Sequence, residues 1–279
     1  MGLDSMSMNA AWQNTKPLKI ISASRRTDMP ASDPQNLADR LEEKAPPRLT
    51  HTVVLWTKNP YNLLHHQALR KQLVKYEQLF VLLSITGLGG SCLEPRVPAP
   101  EDITAMLPAL IRFVGSPQRI AVRFDPIVHF KMPDESSICN LEYFAALAPE
   151  IASHGITRVI TSWVQIYGKV ARRLNRMGIK VVEISDKKQH SEMEWLHALA
   201  GRYNITVNGC CVPGWPRSRC IDGPYLNQLH PQSKTASTER ARGQRALCGC
   251  TESLDIGWYH SCIHGCIYCY GNPQIVDEN

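Results

Sequence analysis

Short runs rich in β-branched and other apolar residues alternate with longer segments of helical periodicity along most of the chain. This alternation predicts a parallel α/β architecture, in which strands and helices follow one another. The predicted strands are residues 18–24, 52–57, 79–86, 119–125, 157–162 and 204–208, with 180–185 as a weaker candidate. The predicted helices are residues 33–43, 62–76, 101–114, 137–153 and 188–202.

The number of these elements predicts one barrel rather than several domains. A chain of 279 residues is ordinary for a single (β/α) barrel, here with roughly six to eight parallel strands. Between residues 210 and 249 the pattern breaks up into Pro, Gly, Ser and Arg. The expected divisions are a polar tail at 1–17, the barrel core at 18–209, a cysteine-containing cap at 210–253, and a C-terminal loop at 254–279 that completes the barrel.

Four successive predicted strands end in clusters of polar residues. In a barrel of parallel strands these carboxyl ends lie on one face, where active sites are built. Turn formation explains any single cluster equally well, since Thr, Asp, Asn, Gly and Pro all begin turns. Four clusters in a row indicate a functional face. The clusters are residues 24–28, 57–59, 84–87 and 123–126.

Three cysteines near the end of the sequence, Cys262, Cys266 and Cys269, have the spacing of ligands to a 4Fe-4S cluster. Thiolates grouped in one short loop hold such clusters, and three ligands leave the fourth iron open. Gly265 allows the backbone to pass close to the cluster. Two alternatives remain, a zinc site completed by a nearby histidine and a disulfide pair. The candidate histidines are His264 and His260.

The stretch Ile256-Gly-Trp-Tyr-His-Ser-Cys-Ile-His-Gly-Cys-Ile-Tyr-Cys-Tyr-Gly-Asn272 resembles the cluster loop of radical SAM enzymes, particularly of the spore photoproduct lyase-like branch. The resemblance implies that the open iron binds the amino and carboxylate groups of S-adenosylmethionine (SAM). It also implies that an electron from the cluster breaks a carbon–sulfur bond of SAM. In that branch the loop lies near the N-terminus, so its position here implies a circularly permuted barrel.

The polar strand ends also resemble that branch, in the same order along the chain. Asn59 and Met29 are departures, standing where the branch has Ser and Pro. The resembling segments are residues 27–30, 56–59, 83–86 and 93–98. The residues that the resemblance and the loop pattern assign to SAM are Asp28, Lys58, Ser84, Glu94, Arg123 and Tyr268. The first three are expected to hold its ribose and methionine groups, and the last is expected to pack against its adenine.

Over residues 18–272 the sequence resembles a bacterial family named domain of unknown function 1848. The shared features include Leu-Glu-Pro-x-Val-Pro, Arg-Phe-Asp-Pro, Cys-Ile-Asp, Gln-Arg, Cys-x-Cys, and Asp-Ile-Gly-x-Tyr before the cysteine loop. The resemblance is specific in its motifs. It implies membership of the family and implies no substrate.

A second set of cysteines, Cys210, Cys220, Cys248 and Cys250, matches positions where that family pattern has cysteine. Four thiolates fit a closed metal site, which is either an auxiliary 4Fe-4S cluster or a structural zinc. An arrangement without metal stays open as a third alternative. Cys211 is an alternative to Cys210. The cysteines expected to be ordinary thiols are Cys92 and Cys139.

The amino-acid composition indicates where in the cell the protein is expected. Apolar residues make up 43% of the chain and charged residues 20%, which is typical of a soluble globular protein, and no apolar run reaches the length of a membrane span. Residues 1–16 lack the basic and apolar regions of a secretory signal. We therefore expect a cytoplasmic protein with no membrane partner, whose cysteines are metal ligands rather than disulfides.

The net charge of +6 mildly favours anionic partners. Four basic residues recur at helical spacing and predict one basic helix face. Its simplest interpretation is a solvated face. These residues are Lys169, Arg172, Arg173 and Arg176.

Together these features predict a radical SAM enzyme that starts radical chemistry on an unidentified substrate. The expected electron donor is a flavodoxin or a ferredoxin. Nucleic acid is the first substrate that the analogy suggests, and a peptide or a small metabolite comes next. The alternative from another class is a non-catalytic zinc-binding module that recognises nucleic acid through its basic surface.

Overall fold

The computed structural model describes residues 17–275, and its central feature is one sheet of seven parallel strands. The predicted tail at 1–17, except its last residue, and residues 276–279 of the predicted C-terminal loop therefore lie outside the described residues. The strands are β1 (Lys19–Ala23), β2 (Thr50–Thr57), β3 (Leu79–Ser84), β4 (Ile120–Ile127), β5 (Arg158–Trp163), β6 (Thr206–Gly209) and β7 (Leu254–Asp255).

Along the sheet the strand order is β7-β1-β2-β3-β4-β5-β6. Six strands follow one another in sequence order, and β7 pairs beside β1 in parallel. The parallel α/β architecture predicted from the sequence is therefore confirmed. The two-residue β7 escaped prediction because so short a strand shows no alternation.

The sheet is open between β6 and β7: across residues 17–275, no hydrogen-bonded ladder joins these two edges. The structure thus shows the parallel strands of the predicted barrel and does not show its closure. The weak strand predicted at 180–185 is wrong as a barrel strand. Only Lys180–Val181 is extended there, and it pairs antiparallel with His129–Lys131, which also pairs with Ser137–Cys139 in a separate sheet.

Helices follow most strands. The helices predicted at 33–43 and 188–202 agree with the observed bounds within two residues. The helix predicted at 137–153 is wrong over its first part, because Ser137–Cys139 pairs as a strand and the helix begins only at Phe144. The α-helices are α1 (Met29–Ser32), α2 (Pro34–Lys44), α3 (Tyr61–His65), α4 (Gln67–Leu73), α5 (Pro100–Ala105), α6 (Leu107–Val114), α7 (Phe144–Ser153), α8 (Gly168–Arg176), α9 (Asp186–Gly201) and α10 (Gly223–Leu229). The helix predicted at 62–76 is divided at His66, whose ring accepts from the Leu69 amide at 3.2 Å. The helix predicted at 101–114 is divided just before Pro108, since proline lacks the amide hydrogen of a continuing helix.

The two faces of the sheet pack against different layers. On β2, Val53 and Leu55 belong to the larger apolar core, which includes the buried residues of α2 and α4. Val54 and Trp56 point to the opposite, inner face, as alternation along a strand requires. The segment 210–251, with α10, packs on that inner face. No helix of residues 17–275 is long and apolar enough to cross a bilayer.

Candidate metal and cofactor site

The inner face of the sheet changes from apolar to polar toward the carboxyl ends of the strands. Leu82 on β3 and Ala121 on β4 are buried, and two positions later on the same face follow Ser84 and Arg123. These polar ends open into a cavity of about 620 Å³. Its size is within the range of small-molecule sites, about 300–1,000 Å³.

Every residue that the sequence analysis assigns to a metal or to SAM lines this one cavity, except Glu94. The alternative ligands Cys211 and His260 do not line it. The lining members of the assigned set are Asp28, Lys58, Ser84, Arg123, Tyr268, Cys210, Cys220, Cys248, Cys250, Cys262, Cys266 and Cys269. The cavity therefore brings together the polar strand ends and both cysteine sets.

Hydrogen bonds fix the C-terminal cysteine loop beside the end of β1. Ser24 Oγ donates to Asp255 Oδ1 at 2.8 Å, and Thr27 Oγ1 donates to the Trp258 carbonyl at 2.7 Å. The structure therefore places the loop beside the polar cluster 24–28.

Asp255 is a positioning residue that the sequence analysis does not assign. Its carboxylate accepts hydrogen bonds from Ser22 Oγ at 3.2 Å, from Ser24 Oγ at 2.8 Å and from the Gly257 amide at 3.0 Å. These contacts join β7 to β1 just before the cysteine loop begins. The only signal of this role in the sequence is its place in the Asp-Ile-Gly-x-Tyr segment.

The basic face of α8 is divided between the cysteine loop and solvent. Arg173 is buried and donates to the carbonyls of Ile267 at 2.6 Å and Cys269 at 2.9 Å. Lys169 Nζ donates to the Gly271 carbonyl at 3.0 Å. The prediction of a solvated face is therefore wrong for Arg173, because the loop offers carbonyl acceptors to it. The members of this face that are exposed and make no recorded contact with the loop are Arg172 and Arg176.

The loop thiols have surroundings that suit thiolate ligands. The Gly271 amide donates to Cys269 Sγ at 3.2 Å, and Ser32 Oγ donates to Cys262 Sγ at 3.6 Å. Hydrogen bonds to ligand sulfurs are among the features that set the potential of an iron–sulfur cluster. Burial raises the pKa of Cys262 and of Cys266, so a metal must displace a proton from each thiol.

The backbone of the loop turns tightly at Gly265, which has a φ of 68°. An added Cβ there would lie 3.0 Å from the Gln274 carbonyl oxygen, so glycine is required. All ten cysteines of the chain are free thiols. No three His, Cys, Asp or Glu side chains of residues 17–275 converge on a single metal ion. The ligands of a 4Fe-4S cluster bind separate irons, which is a different geometry from convergence on one ion.

His264, considered above as a zinc ligand, instead supports Asp28. Its Nε2 lies 2.7 Å from Asp28 Oδ2 and its Nδ1 lies 3.3 Å from the Arg96 carbonyl, so both ring nitrogens face protein oxygens. Asp28 Oδ2 also accepts from the Lys58 amide at 2.7 Å, and Oδ1 accepts from the Ala31 amide at 3.1 Å. Asp28 therefore links the end of β2 and the start of α1 to the cysteine loop.

Lys58, Glu94 and Tyr268 form a buried polar group beside the loop. Lys58 Nζ lies 2.7 Å from Glu94 Oε1 and 3.3 Å from the Tyr268 hydroxyl, which also donates to Glu94. Glu94 is completely buried behind the cavity wall, and its Oε2 has no hydrogen-bond partner. Burial alone would lower the pKa of Lys58, but Glu94, together with Cys266 and Cys269 in their ionised form, raises it above its ordinary value. A positive charge is therefore fixed beside Cys266 and Cys269.

Arg123 lies near the second cysteine set. It pairs with Asp125, and its guanidinium is 5.0 Å from the centre of the Trp56 ring. Burial opposes the charge of Arg123, but Asp125 and the thiolates of Cys220 and Cys210 raise its pKa. This side of the cavity therefore also presents a fixed positive charge to sulfur ligands.

The four cysteines of the second set come together although 40 residues of sequence separate their ends. All four line the cavity, and neighbouring thiols shift one another's pKa in a row, Cys210 with Cys220, Cys220 with Cys250, and Cys250 with Cys248. The hydrogen bond from Cys220 lowers the pKa of Cys210 to about 7. Cys211 interacts with Cys210 at one end of the row and does not line the cavity.

Exposed aromatic rings lie at or beside the outer part of the cavity, close to basic side chains. Tyr167, Tyr259 and Tyr270 line the cavity, and Trp258 lies next to Arg26, which also lines it. Tyr167 and Tyr270 are 45% and 46% exposed, with ring centres 6.1 Å apart. Trp258 is 62% exposed, and the guanidinium of Arg26 lies 6.0 Å from its ring. Lys169 Nζ lies 6.0 Å from the ring of Tyr259, which is 45% exposed. We call Tyr167, Trp258, Tyr259 and Tyr270 the aromatic rim.

A model of the family described as "Domain of unknown function (DUF1848)" matches residues 20–271. No curated protein and no solved structure matches the chain.

Proposed function

This chain belongs to the family described as a domain of unknown function, DUF1848, and from that premise we propose that it is a radical SAM enzyme. In this proposal Cys262, Cys266 and Cys269 hold a 4Fe-4S cluster and SAM binds next to it. The observation that supports the proposal most is the single cavity shared by the cysteine loop, Lys58 and the polar strand ends. A seven-stranded sheet whose last strand precedes the loop is compatible with a permuted, partly open barrel.

The donor set suits an anionic cluster. Three thiols from one short loop are available, two sulfurs accept hydrogen bonds, and the Lys58 ammonium is held nearby. When bound, such a cluster supplies an electron to the sulfonium of SAM, which breaks a carbon–sulfur bond. The loop thiols would position the cluster, and Lys58 places a positive charge beside it.

The SAM-binding roles follow from which groups reach the cavity. Lys58 and Arg123 present cations that suit the SAM carboxylate, and Ser84 presents a hydroxyl near the cavity wall. Tyr268 presents an aromatic ring beside the loop. In this proposal Asp28 and Glu94 do not contact SAM directly, although the sequence analysis assigns both to SAM. Both carboxylates are engaged by neighbouring donors, so they act as positioning residues.

We also propose that Cys210, Cys220, Cys248 and Cys250 hold a second metal centre. An auxiliary 4Fe-4S cluster suits them better than zinc, since no three of these side chains converge on one ion. The row of thiols supports this proposal, as does the nearby Arg123 charge. Their segment, 210–253, then acts as the cap that closes the cavity on the inner face of the sheet.

Single-stranded nucleic acid is the substrate class that the aromatic rim supports best. Bases stack on exposed aromatic rings, and neighbouring Lys and Arg side chains neutralise the phosphates. The rim offers four exposed rings with Arg26 and Lys169 beside them. The reaction requires a cytoplasmic one-electron donor such as a flavodoxin or a ferredoxin.

The first experiment tests the radical SAM assignment. The protein is reconstituted with iron and sulfide without oxygen, then given dithionite and SAM. Brown protein that releases 5′-deoxyadenosine supports the proposal. A colourless protein that retains zinc and releases no 5′-deoxyadenosine would establish the zinc-binding alternative instead.

A second experiment tests the substrate class. Single-stranded oligonucleotides deuterated in their sugars and bases are added to the reducing mixture, and peptide digests deuterated to the same extent serve as the comparison. Deuterium in 5′-deoxyadenosine from the oligonucleotides alone supports nucleic acid. Transfer from the peptides alone would overturn the substrate assignment and leave the SAM chemistry intact.

A further inference from the structure

A second cavity of about 320 Å³ shares no lining residue with the cysteine cavity. It lies between β5 and β6 on one side and the inner-face segment 217–251 on the other. Its charged lining residues are Arg158, Arg217, Arg219, Arg240 and Asp222. We call this cavity the arginine pocket.

The arginine pocket has an excess of positive charge. Four guanidinium groups line it, together with one carboxylate, Asp222. That carboxylate is already engaged by Arg158 at 2.8 Å and by Arg219 at 3.7 Å. Within residues 17–275, no carboxylate lies within ion-pair distance of Arg217 or Arg240. The guanidinium groups repel one another in this concave site. Binding of an anion there is favourable because it relieves that repulsion.

Two of the guanidinium groups are fixed in place before any ligand binds. Arg240 donates to the carbonyls of Ala246 at 2.6 Å and Cys248 at 3.2 Å. Arg158 lies over the Tyr225 ring at 3.8 Å while it binds Asp222. Donors held in this way lose little conformational entropy when they bind an anion.

Arg217 packs closely against Gly249. A Cβ added to Gly249 would lie 2.7 Å from the Ser218 carbonyl and 3.1 Å from side-chain carbons of Arg217. The described structure records no hydrogen bond or ion pair for the Arg217 guanidinium. Arg217 is therefore the donor that a ligand gains without breaking an existing contact.

We propose that the arginine pocket binds the phosphate group of a small phosphorylated molecule. Guanidinium forks match phosphate oxygens in pairs, which gives both strength and direction. A volume of about 320 Å³ is near the lower limit for small-ligand pockets, so it admits a phosphate with a modest organic part. This site is separate from the cysteine cavity and does not depend on the function proposed there.

The test is calorimetric titration of the full reconstituted protein, without SAM, with inorganic pyrophosphate as the probe. We expect saturable binding that Arg217→Ala weakens about tenfold or more, since a charge-assisted contact is lost. Arg217→Lys should bind with intermediate affinity because it keeps the charge but loses the fork. The matched control is Arg202→Ala, which removes an exposed arginine outside the pocket and should leave the affinity unchanged.

Three results would overturn the proposal. The first is a wild-type protein that does not bind pyrophosphate, and the second is an equal affinity for the Arg217→Ala variant, provided that its thermal midpoint matches the wild type. The third is a protein that does not bind pyrophosphate but does bind a single-stranded oligonucleotide without terminal phosphates, and loses that binding in the Arg217→Ala variant. Because SAM is absent, none of these results bears on the radical SAM proposal.

Discussion

The two cysteine sets line the same cavity but are built in different ways. The loop set places three thiols within eight residues, and two of them accept hydrogen bonds from residues outside the set, Ser32 and Gly271. The second set gathers four thiols from across an irregular segment, and these thiols depend on one another. Positive charge lies beside both, Lys58 at the first and Arg123 at the second. A local loop is specified by spacing, whereas a distributed site is specified only by the fold around it.

The largest expected effect comes from removing the loop thiols. Replacing Cys262, Cys266 or Cys269 with Ala should abolish the release of 5′-deoxyadenosine, because each thiol holds a different iron in the proposed cluster. The measurement is chromatography of the reduced reaction mixture. Cys92→Ala is the matched control, since this exposed thiol is outside the cavity. Cleavage of SAM by all three loop variants would disprove the assignment.

Removing the second set should change metal content and leave the loop cluster in place. Wild-type protein should hold about eight irons if both sites are 4Fe-4S clusters, or about four irons and one zinc if the second is structural. A variant with Ala at Cys210, Cys220, Cys248 and Cys250 should keep about four irons, as measured by elemental analysis. Four irons and no other metal in the wild type, with these four thiols freely alkylated, would show that the second site does not exist.

The support of the loop by α8 should be measurable as stability. Arg173→Ala removes a buried donor from two loop carbonyls and should lower the free energy of unfolding by about 2 kcal/mol. It should also hasten iron loss to a chelator. Arg172→Ala, an exposed neighbour on the same helix, is the control in the urea titration. Equal stability of the two variants would mean that the loop does not depend on α8.

The smallest effect is a difference in thiol reactivity in metal-free protein. The pKa of Cys210 is lowered to about 7 by its hydrogen bond from Cys220, so Cys210 should be mostly thiolate at pH 8. Burial raises the pKa of Cys262 and Cys266, so both should be thiols at that pH. Iodoacetamide labelling followed by mass spectrometry should therefore modify Cys210 before Cys262 and Cys266, and the labelling rate of Cys210 should fall as the pH drops through about 7. Faster labelling of Cys266 than of Cys210 would contradict the opposite pKa shifts of these two thiols.

The sequence predicted the parts of this molecule that depend on local pattern. Strands β1 to β6 have apolar runs that alternation rules recognise, and the cysteine loop has a recognisable spacing. The burial of Arg173 was not predictable, since its helix pattern alone resembles a solvated face. The pairing of His264 with Asp28 joins residues 236 positions apart. The open edge between β6 and β7 depends on how the segment 210–251 packs inside the sheet, and no local pattern encodes that packing.

The pairing of β7 with β1 also determines the order of events as the chain folds. Asp255 binds Ser22 across 233 positions of sequence, so β1 is synthesised long before the strand that completes its edge. Contacts over such separations form late because loop closure must be overcome first. The cysteine loop follows β7 directly, and its anchors on Ser24 and Thr27 exist only after that strand has docked. Iron capture by this loop would therefore report that folding of the sheet is complete.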